Sequence, residues 1–353
     1  MIDLLKKRIV RYPLYIGFVV VSFALCLSLT FPGERIGQII EVQAENALGP
    51  NYKVKVSDVS TWWMTGISME DVTISERVDL DAKIDDSKPP QKPLSVTIPE
   101  VSARLSILRS IINLGAAIEF EIDFEEGGDI DGHVIATSSA RRVDMAFNGV
   151  DLRRSKIIQS LTGVPGFGML DGDVDVELDT KGTLQSGKID LKGTKVTIGP
   201  GILETTKIPS MVFIDVPQTN FGNLTIEAEV VEQKKQKKLT LQKVNSVGRD
   251  VEMQAWGDVK INRSMAASIL DLSMRMNFKD EYIKKNSLRS LLSLGPLMEG
   301  KGAGGWHGFT FTGSVKRMRF KGNKQVAAGP SKKKGASPAP SEPKTPLKAP
   351  KKK

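Results

Sequence analysis

Two stretches of the sequence carry residue types that could bind a metal or a phosphate. The run Asp171–Asp179 reads DGDVDVELD and holds five acidic residues, and carboxylates are ligands that Ca²⁺ prefers. The run lacks the sixth-position glycine and the terminal glutamate of a calcium loop. Its valines and leucine alternate with the acids, a period typical of a strand that is wet on one face. We therefore interpret these acids as the solvent face of a strand.

The second stretch resembles a phosphate-binding loop. Residues Gly295–Gly302 read GPLMEGKG and match most of that motif, but Gly302 stands where a serine or threonine would hold magnesium. The run also follows a predicted helix, whereas the motif follows a strand. A glycine-rich turn explains the same residues, and we favour it.

The remaining reactive side chains are few. His133 and His307 are the two histidines and Cys26 is the single cysteine, too few for a zinc site. Cys26 lies inside the longest apolar stretch, where a thiol is a poor nucleophile. We therefore expect no catalytic residue, no cofactor and no metal ion, and a protein that is not an enzyme.

The longest apolar stretch runs from Tyr12 to Gly33, and no charged residue stands between Arg11 and Glu34. At about 1.5 Å per residue, a helix of this length matches a hydrocarbon core of about 30 Å. Four bases precede it against one acid, Asp3: Lys6, Lys7, Arg8 and Arg11. This bias predicts a transmembrane helix over residues 12–33, a cytoplasmic N-terminus over residues 1–11, and a body on the far side of the membrane.

A cleaved signal peptide is the alternative, because it also has a basic start and an apolar middle. The apolar run is longer than a usual signal core, and Leu27, Leu29 and Phe31 are bulky at the place of cleavage. Cys26 and Ser28 are small enough to leave one cleavage site, although a leucine directly precedes the cysteine. We favour a retained anchor.

Charge is concentrated at the two ends of the chain. The net charge is +9, with +3 in residues 1–33 and +8 in residues 324–353, which leaves −2 for the 290 residues between them. A near-neutral body argues against nucleic acid as a partner. Because that body contains no cysteine, apolar burial and strand pairing must stabilise it without disulfides.

Period-two alternation dominates residues 52–322 and predicts many short antiparallel strands. The clearest strand places Ile118, Phe120, Ile122 and Phe124 between acidic residues, and the longest alternation is Leu270, Leu272, Met274, Met276 and Phe278. One apolar and one polar face are expected of a sheet that is wet on one side. Trp62 and Trp63, in a predicted connection between strands, are interpreted as core residues, with membrane-interface aromatics as the alternative.

Helical spacing is rarer. It predicts helices over Glu34–Leu48, Arg104–Leu114 and Asp280–Leu294; in the second, Leu105, Leu108, Ile111 and Ile112 share one apolar face. From Lys324 to Lys353 the chain is rich in Lys, Pro, Ala, Gly and Ser. Such a segment is predicted to be a disordered tail. The fold class is therefore mainly β with a few short amphipathic helices.

Several segments resemble one protein family. They are Phe31–Arg35, Val54–Trp63, Gly66–Ile74, Gly248–Met253, Gly257–Ile261 and Gly308–Val315. Together they resemble type II secretion system protein N (GspN), in the form found in deltaproteobacteria and spirochaetes. The resemblance covers about residues 1–322, and its shorter motifs are shared with the wider AsmA-like superfamily.

The resemblance implies an accessory component of the machine that secretes folded proteins, in the Gram-negative inner membrane, with residues 34–323 as a periplasmic β domain. The family contributes no catalytic residue. The wider superfamily implies an elongated, curved sheet with an apolar groove that moves lipids in some members. Candidate groove residues in this sequence are Ile118, Phe120, Ile122, Leu270, Leu272, Met274 and Met276.

Two functions are therefore expected from the sequence. The first is a scaffold or binding protein of type II secretion whose partners are the inner membrane and other secretion components. The second is binding or transfer of lipid along the groove. The direct partner, the oligomeric state and the role of the lysine-rich tail stay open.

Overall fold

The computed structural model of the protein describes residues 18–19, 22, 32–48, 52–62, 65–76, 95–156, 158–159, 163–180, 182–204, 213–233, 236–262, 268–286, 288, 292, 295–314 and 317–330. The strands that these residues form are β1 Tyr52–Lys55, β2 Asp58–Trp62, β3 Gly66–Glu76, β4 Ser95–Leu105, β5 Ala116–Asp123, β6 Asp129–Ala136, β7 Ala140–Asp151, β8 Gly166–Asp179, β9 Leu184–Ile198, β10 Gly201–Glu204, β11 Phe213–Val216, β12 Thr219–Gln233, β13 Gln236–Val247, β14 Val251–Lys260, β15 Ile269–Phe278, β16 Trp306–Ser314 and β17 Arg319–Gly322. The helices with described bounds are α1 Gly33–Leu48, α2 Ile107–Ile112, α3 Asp280–Lys285, α4 Gly295–Glu299 and α5 Lys324–Ala327.

One antiparallel sheet of fifteen strands dominates the structure. Its order is β1-β3-β4-β5-β6-β7-β8-β9-β12-β13-β14-β15-β16-β17, with β2 also paired to β3, while β10 and β11 form a separate hairpin. The prediction of a mainly β fold with few helices is confirmed. In the pairings of the described strands, β1 and β2 stand at one end of the sheet and β17 at the other, so the sheet is open.

Helix α1 covers the outer edge of the first strand. The backbone N–H of Val54 donates to Oε1 of Glu45 (3.2 Å), and that of Val56 donates to Oε1 of Glu41 (2.8 Å). Edge strands expose unpaired amides, and these two carboxylates satisfy two of them. The helix predicted over Glu34–Leu48 is confirmed with one more residue at its start.

Two other helix predictions are wrong in length. Arg104 and Leu105 belong to β4, where Leu105 is paired with Ile118, and the helix occupies only Ile107–Ile112. The second predicted helix begins at Asp280 as expected but ends at Lys285, and several residues of the range 287–294 lie outside the described chain. Cross-strand pairing at Leu105 overrides the helical spacing that the sequence shows there.

The prediction of a disordered tail from Lys324 onward is wrong at its beginning. Lys324–Ala327 forms α5, whose Val326 and Ala327 are buried, and the Asn323 side chain accepts a hydrogen bond from the backbone N–H of Gln325 (2.9 Å). Gly308 makes room for this helix, because a Cβ there would lie 2.3 Å from the Ala327 nitrogen. Residues 331–353 lie outside the described chain.

The segment predicted to cross a membrane falls mostly on residues without a described structure. Of Tyr12–Gly33, the structure describes residues 18–19, 22 and 32–33. Among the described residues, none of the helices combines the length and the apolar character that a membrane span needs. The N-terminal anchor therefore stays a prediction.

Candidate functional site

The candidate site is one face of the large sheet, on which apolar side chains follow one another from strand to strand. Residues directly opposite each other in a sheet share a face, so the pairing register shows which side chains lie together. One row of opposed residues is Ile122, Ile130, Phe147, Gly172, Leu191, Ile226, Val244, Ala255, Met274 and Phe309. A parallel row is Phe120, Gly132, Met145, Val174, Ile189, Ala228, Leu241, Gly257, Leu272, Phe311 and Phe320. We call this surface the apolar face.

The seven groove residues proposed from the sequence all belong to the apolar face. Ile118, Phe120 and Ile122 are alternate residues of β5, and Leu270, Leu272, Met274 and Met276 are alternate residues of β15. The first row above connects the two groups through eight strand pairings. At about 4.8 Å per pairing, they lie about 38 Å apart along the sheet.

The middle of the apolar face is half-exposed. Val174, Ile189, Ile226, Val244 and Met274 are neither buried nor fully exposed. A second layer packed on this face would bury such side chains, as in a sheet sandwich. The main contacts between helices and the sheet lie instead at its two ends, where α1 meets β1 and β2 and where α4 and α5 meet β15 to β17. In the part of the chain that the structure describes, the helices therefore leave this face open over its central strands.

Two glycines of the apolar face stand where a Cβ would collide with atoms of a neighbouring strand. Gly132 lies opposite Phe120, and a Cβ at Gly132 would lie 2.9 Å from Cζ of that ring and 2.3 Å from the Asp144 carbonyl oxygen. Gly257 has a φ of +137°, and a Cβ there would lie 2.3 Å from the Asp271 carbonyl oxygen. Glycines within strands mark bends or close approach of another backbone. These two positions therefore allow neighbouring strands to come close and leave gaps in the rows of apolar side chains.

Aromatic residues fill the C-terminal end of the apolar face. The Phe309 and Phe320 rings stack with centroids 5.1 Å apart, and Phe311 lies 5.2 Å from Phe320. Phe309 is the largest fully buried side chain among the described residues. The face thus changes from an open surface over its middle strands to a packed core at this end.

His307 lies at the same end and lines a cavity of about 780 Å³ together with Phe278 and Lys301. Its imidazole is buried and meets the Phe278 ring edge-on at 6.0 Å. Nδ1 lies 3.1 Å from the Gly305 carbonyl oxygen, so this nitrogen carries the proton of the neutral ring. Burial lowers the pKa of His307 below its usual value, against the opposing effect of the Gly305 hydrogen bond.

The opposite face of the sheet is polar, and its charges are arranged in pairs. Nη2 of Arg104 lies 2.7 Å from Oε2 of Glu119, and Nη2 of Arg142 lies 2.7 Å from Oδ2 of Asp175. Burial acts to raise the pKa of Glu119, but the hydrogen bonds of Arg104 and Ser106 and the charge of Arg104 outweigh it and lower the pKa. Such pairing is typical of a solvated strand face.

The two motifs that could carry chemistry are accounted for by secondary structure. The acidic run Asp171–Asp179 lies within β8, with its acids on the polar face opposite residues such as Asp190 and Lys188 of β9. Gly295–Glu299 forms the short helix α4, which contacts β16 and β17. Among the described residues, no group of three His, Cys, Asp or Glu side chains is placed to hold a metal ion.

One feature of the surface was not expected from the sequence. The four apolar residues that share one face of the helix predicted over Arg104–Leu114 are exposed: Leu105 is 44%, Leu108 70%, Ile111 66% and Ile112 70% exposed. The signal in the sequence was the position of the polar residues, since Ser106 and Ser110 attach this helix to β5. Trp62, interpreted as core, is half-buried at the end of β2 under the Arg104 guanidinium, 5.2 Å from its ring, and Trp63 lies outside the described residues.

Comparison with protein-family models, curated proteins and solved structures found no match for this chain. The resemblance to type II secretion system protein N therefore stays a prediction. The fold and the geometry of the apolar face are the basis for assigning a function.

Proposed function

We propose that this protein is a non-catalytic binding protein that holds lipid acyl chains on its apolar face. The observation that carries the proposal is the continuous row of apolar and glycine residues from Ile122 to Met274. Ile130, near its start, is buried in a cluster with Phe124 and Val150, whereas the row from Phe147 to Met274 is half-exposed. Burying apolar surface yields about 25 cal/mol per Å², so an open apolar face of this extent attracts an apolar ligand. A contiguous exposed apolar surface is also the usual mark of an interaction site.

The dimensions of the face suit acyl chains. One leaflet is half of a hydrocarbon core of about 30 Å, so an extended acyl chain reaches about 15 Å. The row between Ile122 and Met274 is about 38 Å long, longer than one such chain. More than one chain, or one chain at successive positions, fits along it.

The location that goes with this function follows from the sequence. In our proposal, Tyr12–Gly33 spans the Gram-negative inner membrane, residues 1–11 face the cytoplasm, and residues 34–323 form an elongated, curved β domain in the periplasm. The span and its orientation are supported by the charge-free stretch and the basic residues before it. The elongated, curved shape is what the AsmA-like resemblance implies.

A direct experiment compares two neighbouring positions of β12. A photoreactive amino acid replaces Ile226 on the apolar face or Thr225 on the opposite face, in the full chain within membranes. Irradiation followed by mass spectrometry is expected to give lipid adducts at position 226 and few at 225. Equal labelling at both positions, or labelling at neither, contradicts the proposal.

A second candidate function is an accessory scaffold of type II secretion. The observation that favours it is the outer edge of β17, because among the described residues β17 pairs with β16 alone. Strand addition to such an edge is a common mode of protein recognition. The segments that resemble the family also include Gly308–Val315, of which residues 308–314 belong to β16, the neighbour of β17. A photoreactive residue at Arg319 is expected to capture a secretion component in intact cells, and capture of none contradicts the scaffold role.

A further inference from the structure

Helix α2 presents its apolar side chains to the outside of the molecule. Five large apolar residues within eight positions are exposed: Ile107 57%, Leu108 70%, Ile111 66%, Ile112 70% and Leu114 90%. Single exposed apolar residues are normal on a protein surface, whereas a contiguous group marks an interaction site. The whole group stands on the connection between β4 and β5.

Polar groups of the same segment attach it to the sheet. The backbone N–H of Ser106 donates to the Ala117 carbonyl oxygen (2.8 Å), and the Ser110 side chain accepts from the Ala117 N–H (2.9 Å). Nε of Arg109 lies 3.4 Å from Oε1 of Glu119. The polarity of α2 is therefore the reverse of an ordinary surface helix, since polar groups face the protein and apolar groups face outward.

The position of α2 in the fold indicates what it meets. Glu45 contacts Val54, Glu41 contacts Val56, and a Cβ at Gly37 would lie 3.2 Å from the Val59 side chain. Along these three contacts the residue numbers decrease in the helix while they increase in the strands, so α1 runs antiparallel to β1 and β2. Its first residue, Gly33, therefore lies near the C-terminal end of β2. In the following, an end of the sheet means the side on which the strands begin or end.

Helix α2 lies at that same end. Trp62, the last residue of β2, is paired with Gly66, and Gly66 is paired with Arg104, which lies just before α2. Gly33, the last residue of the charge-free stretch, thus lies at the end of the sheet that carries the exposed apolar helix.

We propose that α2 inserts into the lipid bilayer beside the N-terminal segment and opens the apolar face toward the membrane. Apolar side chains on such an element lie about 5–10 Å into the headgroup and acyl boundary. Leu105 and Ile118, a directly opposed pair at the rim of the apolar face, are each 44% exposed and lead from α2 onto it. An acyl chain leaving the bilayer at α2 would meet apolar side chains along the whole path. This inference rests on the proposed function, to which it adds the route of entry.

The test measures the depth of α2 in a membrane. The full chain is purified with Cys26→Ser, which frees it of native cysteine, and placed in vesicles of phosphatidylethanolamine and phosphatidylglycerol. An environment-sensitive fluorophore is attached at Leu108→Cys or at Val247→Cys. Val247 is a matched control because it is 60% exposed and ends β13 at the opposite end of the sheet.

The expected result is a blue-shifted emission at position 108 that spin-labelled lipid quenches and aqueous iodide does not. A spin label near the lipid headgroup is expected to quench position 108 more than a label deep in the acyl chains. At position 247, iodide is expected to quench the fluorophore and spin-labelled lipid is not. Equal iodide quenching at both positions overturns the proposal. Protection at 108 that spin-labelled lipid leaves unquenched and that rises with protein density indicates a second copy of the chain, and also overturns it.

The variant Ile111→Asp gives an independent measurement. A charge at this exposed position leaves the fold intact by circular dichroism and is expected to reduce the lipid quenching at position 108. Unchanged quenching in this variant contradicts insertion. Lipid adducts at Ile226 report on the apolar face separately, so adducts there without quenching at 108 reject the entry route alone.

Discussion

Ile122 of β5 and Met274 of β15 lie on the same face of one sheet, although eight strand pairings separate them. Each pairing places apolar residues or glycine opposite one another. A register slip of one residue at any pairing would move the apolar side chains of the next strand to the opposite face of the sheet. The continuity of the apolar face therefore depends on the register of every strand pairing between these two residues. A binding surface of this kind is a property of the whole sheet and of its register.

A charge in the middle of the apolar face should weaken lipid binding with little effect on folding. Ile226→Asp places a carboxylate on a half-exposed position, where an acyl chain would lose contact with about two methylene groups. At about 0.8 kcal/mol per methylene group, the affinity for a fatty acid should fall about tenfold. Equilibrium binding of a fluorescent fatty acid checks this. The matched variant Thr225→Asp, on the opposite face, should bind as the unmodified chain does; equal losses in both variants would contradict the assignment of the face.

The strand glycine of β14 should be required for stability. Gly257→Ala forces an L residue to a φ of +137° and brings its Cβ to 2.3 Å from the Asp271 carbonyl oxygen. We expect a loss of about 1–3 kcal/mol in the free energy of unfolding, measured by denaturant titration. Gly163→Ala is the control for backbone strain alone, because Gly163 has a φ of +76° and a Cβ there meets no atom within 4 Å. A Gly257→Ala loss no larger than that of the control would show that the close approach is relieved.

The carboxylate of Glu41 should protect the edge of the sheet. Glu41→Ala removes the acceptor of the Val56 N–H, and loss of such a hydrogen bond costs about 1 kcal/mol. Hydrogen exchange at the Val56 amide should become faster, while amides of β12 and β13 keep their rates. Gln38→Ala, at an exposed position of the same helix, should leave the exchange at Val56 unchanged. An unchanged exchange rate at Val56 in the Glu41 variant would contradict the prediction, because it would mean that the amide keeps its protection without the carboxylate.

Much of the sheet could be predicted from the sequence because strand alternation is a local signal. The acidic residues beside Ile118, Phe120 and Ile122 indicate which side chains face water, and the same holds for β15. The placement of both groups on one face could not be predicted, because it depends on the register of every pairing between them. The burial of Val326 was equally out of reach, since it depends on Gly308 of a different strand making room for α5.

The exposure of α2 shows a different limit of sequence reasoning. The spacing of Leu108, Ile111 and Ile112 predicts one apolar face correctly, but spacing does not tell whether that face is directed at the protein or away from it. The direction is set by Ser110, whose side chain bonds to the Ala117 amide across the turn. Hydrogen bonds between a short helix and the next strand are long-range information that a periodic pattern does not contain.

Acid should destabilise the C-terminal end of the sheet through His307. Burial lowers the pKa of His307 in the folded protein below the value of about 6.5 that it has in the unfolded chain. Above that unfolded value both states hold the neutral ring, and its contribution to stability is fully present. As the pH falls below about 6.5 the unfolded chain binds the proton first, so the free energy of unfolding decreases until the pH reaches the lowered folded pKa. Denaturant titrations between about pH 7 and pH 5 should therefore show a steeper loss for the unmodified chain than for His307→Gln. Parallel profiles for the two proteins would mean that the imidazole accepts its proton without leaving its site beside Phe278.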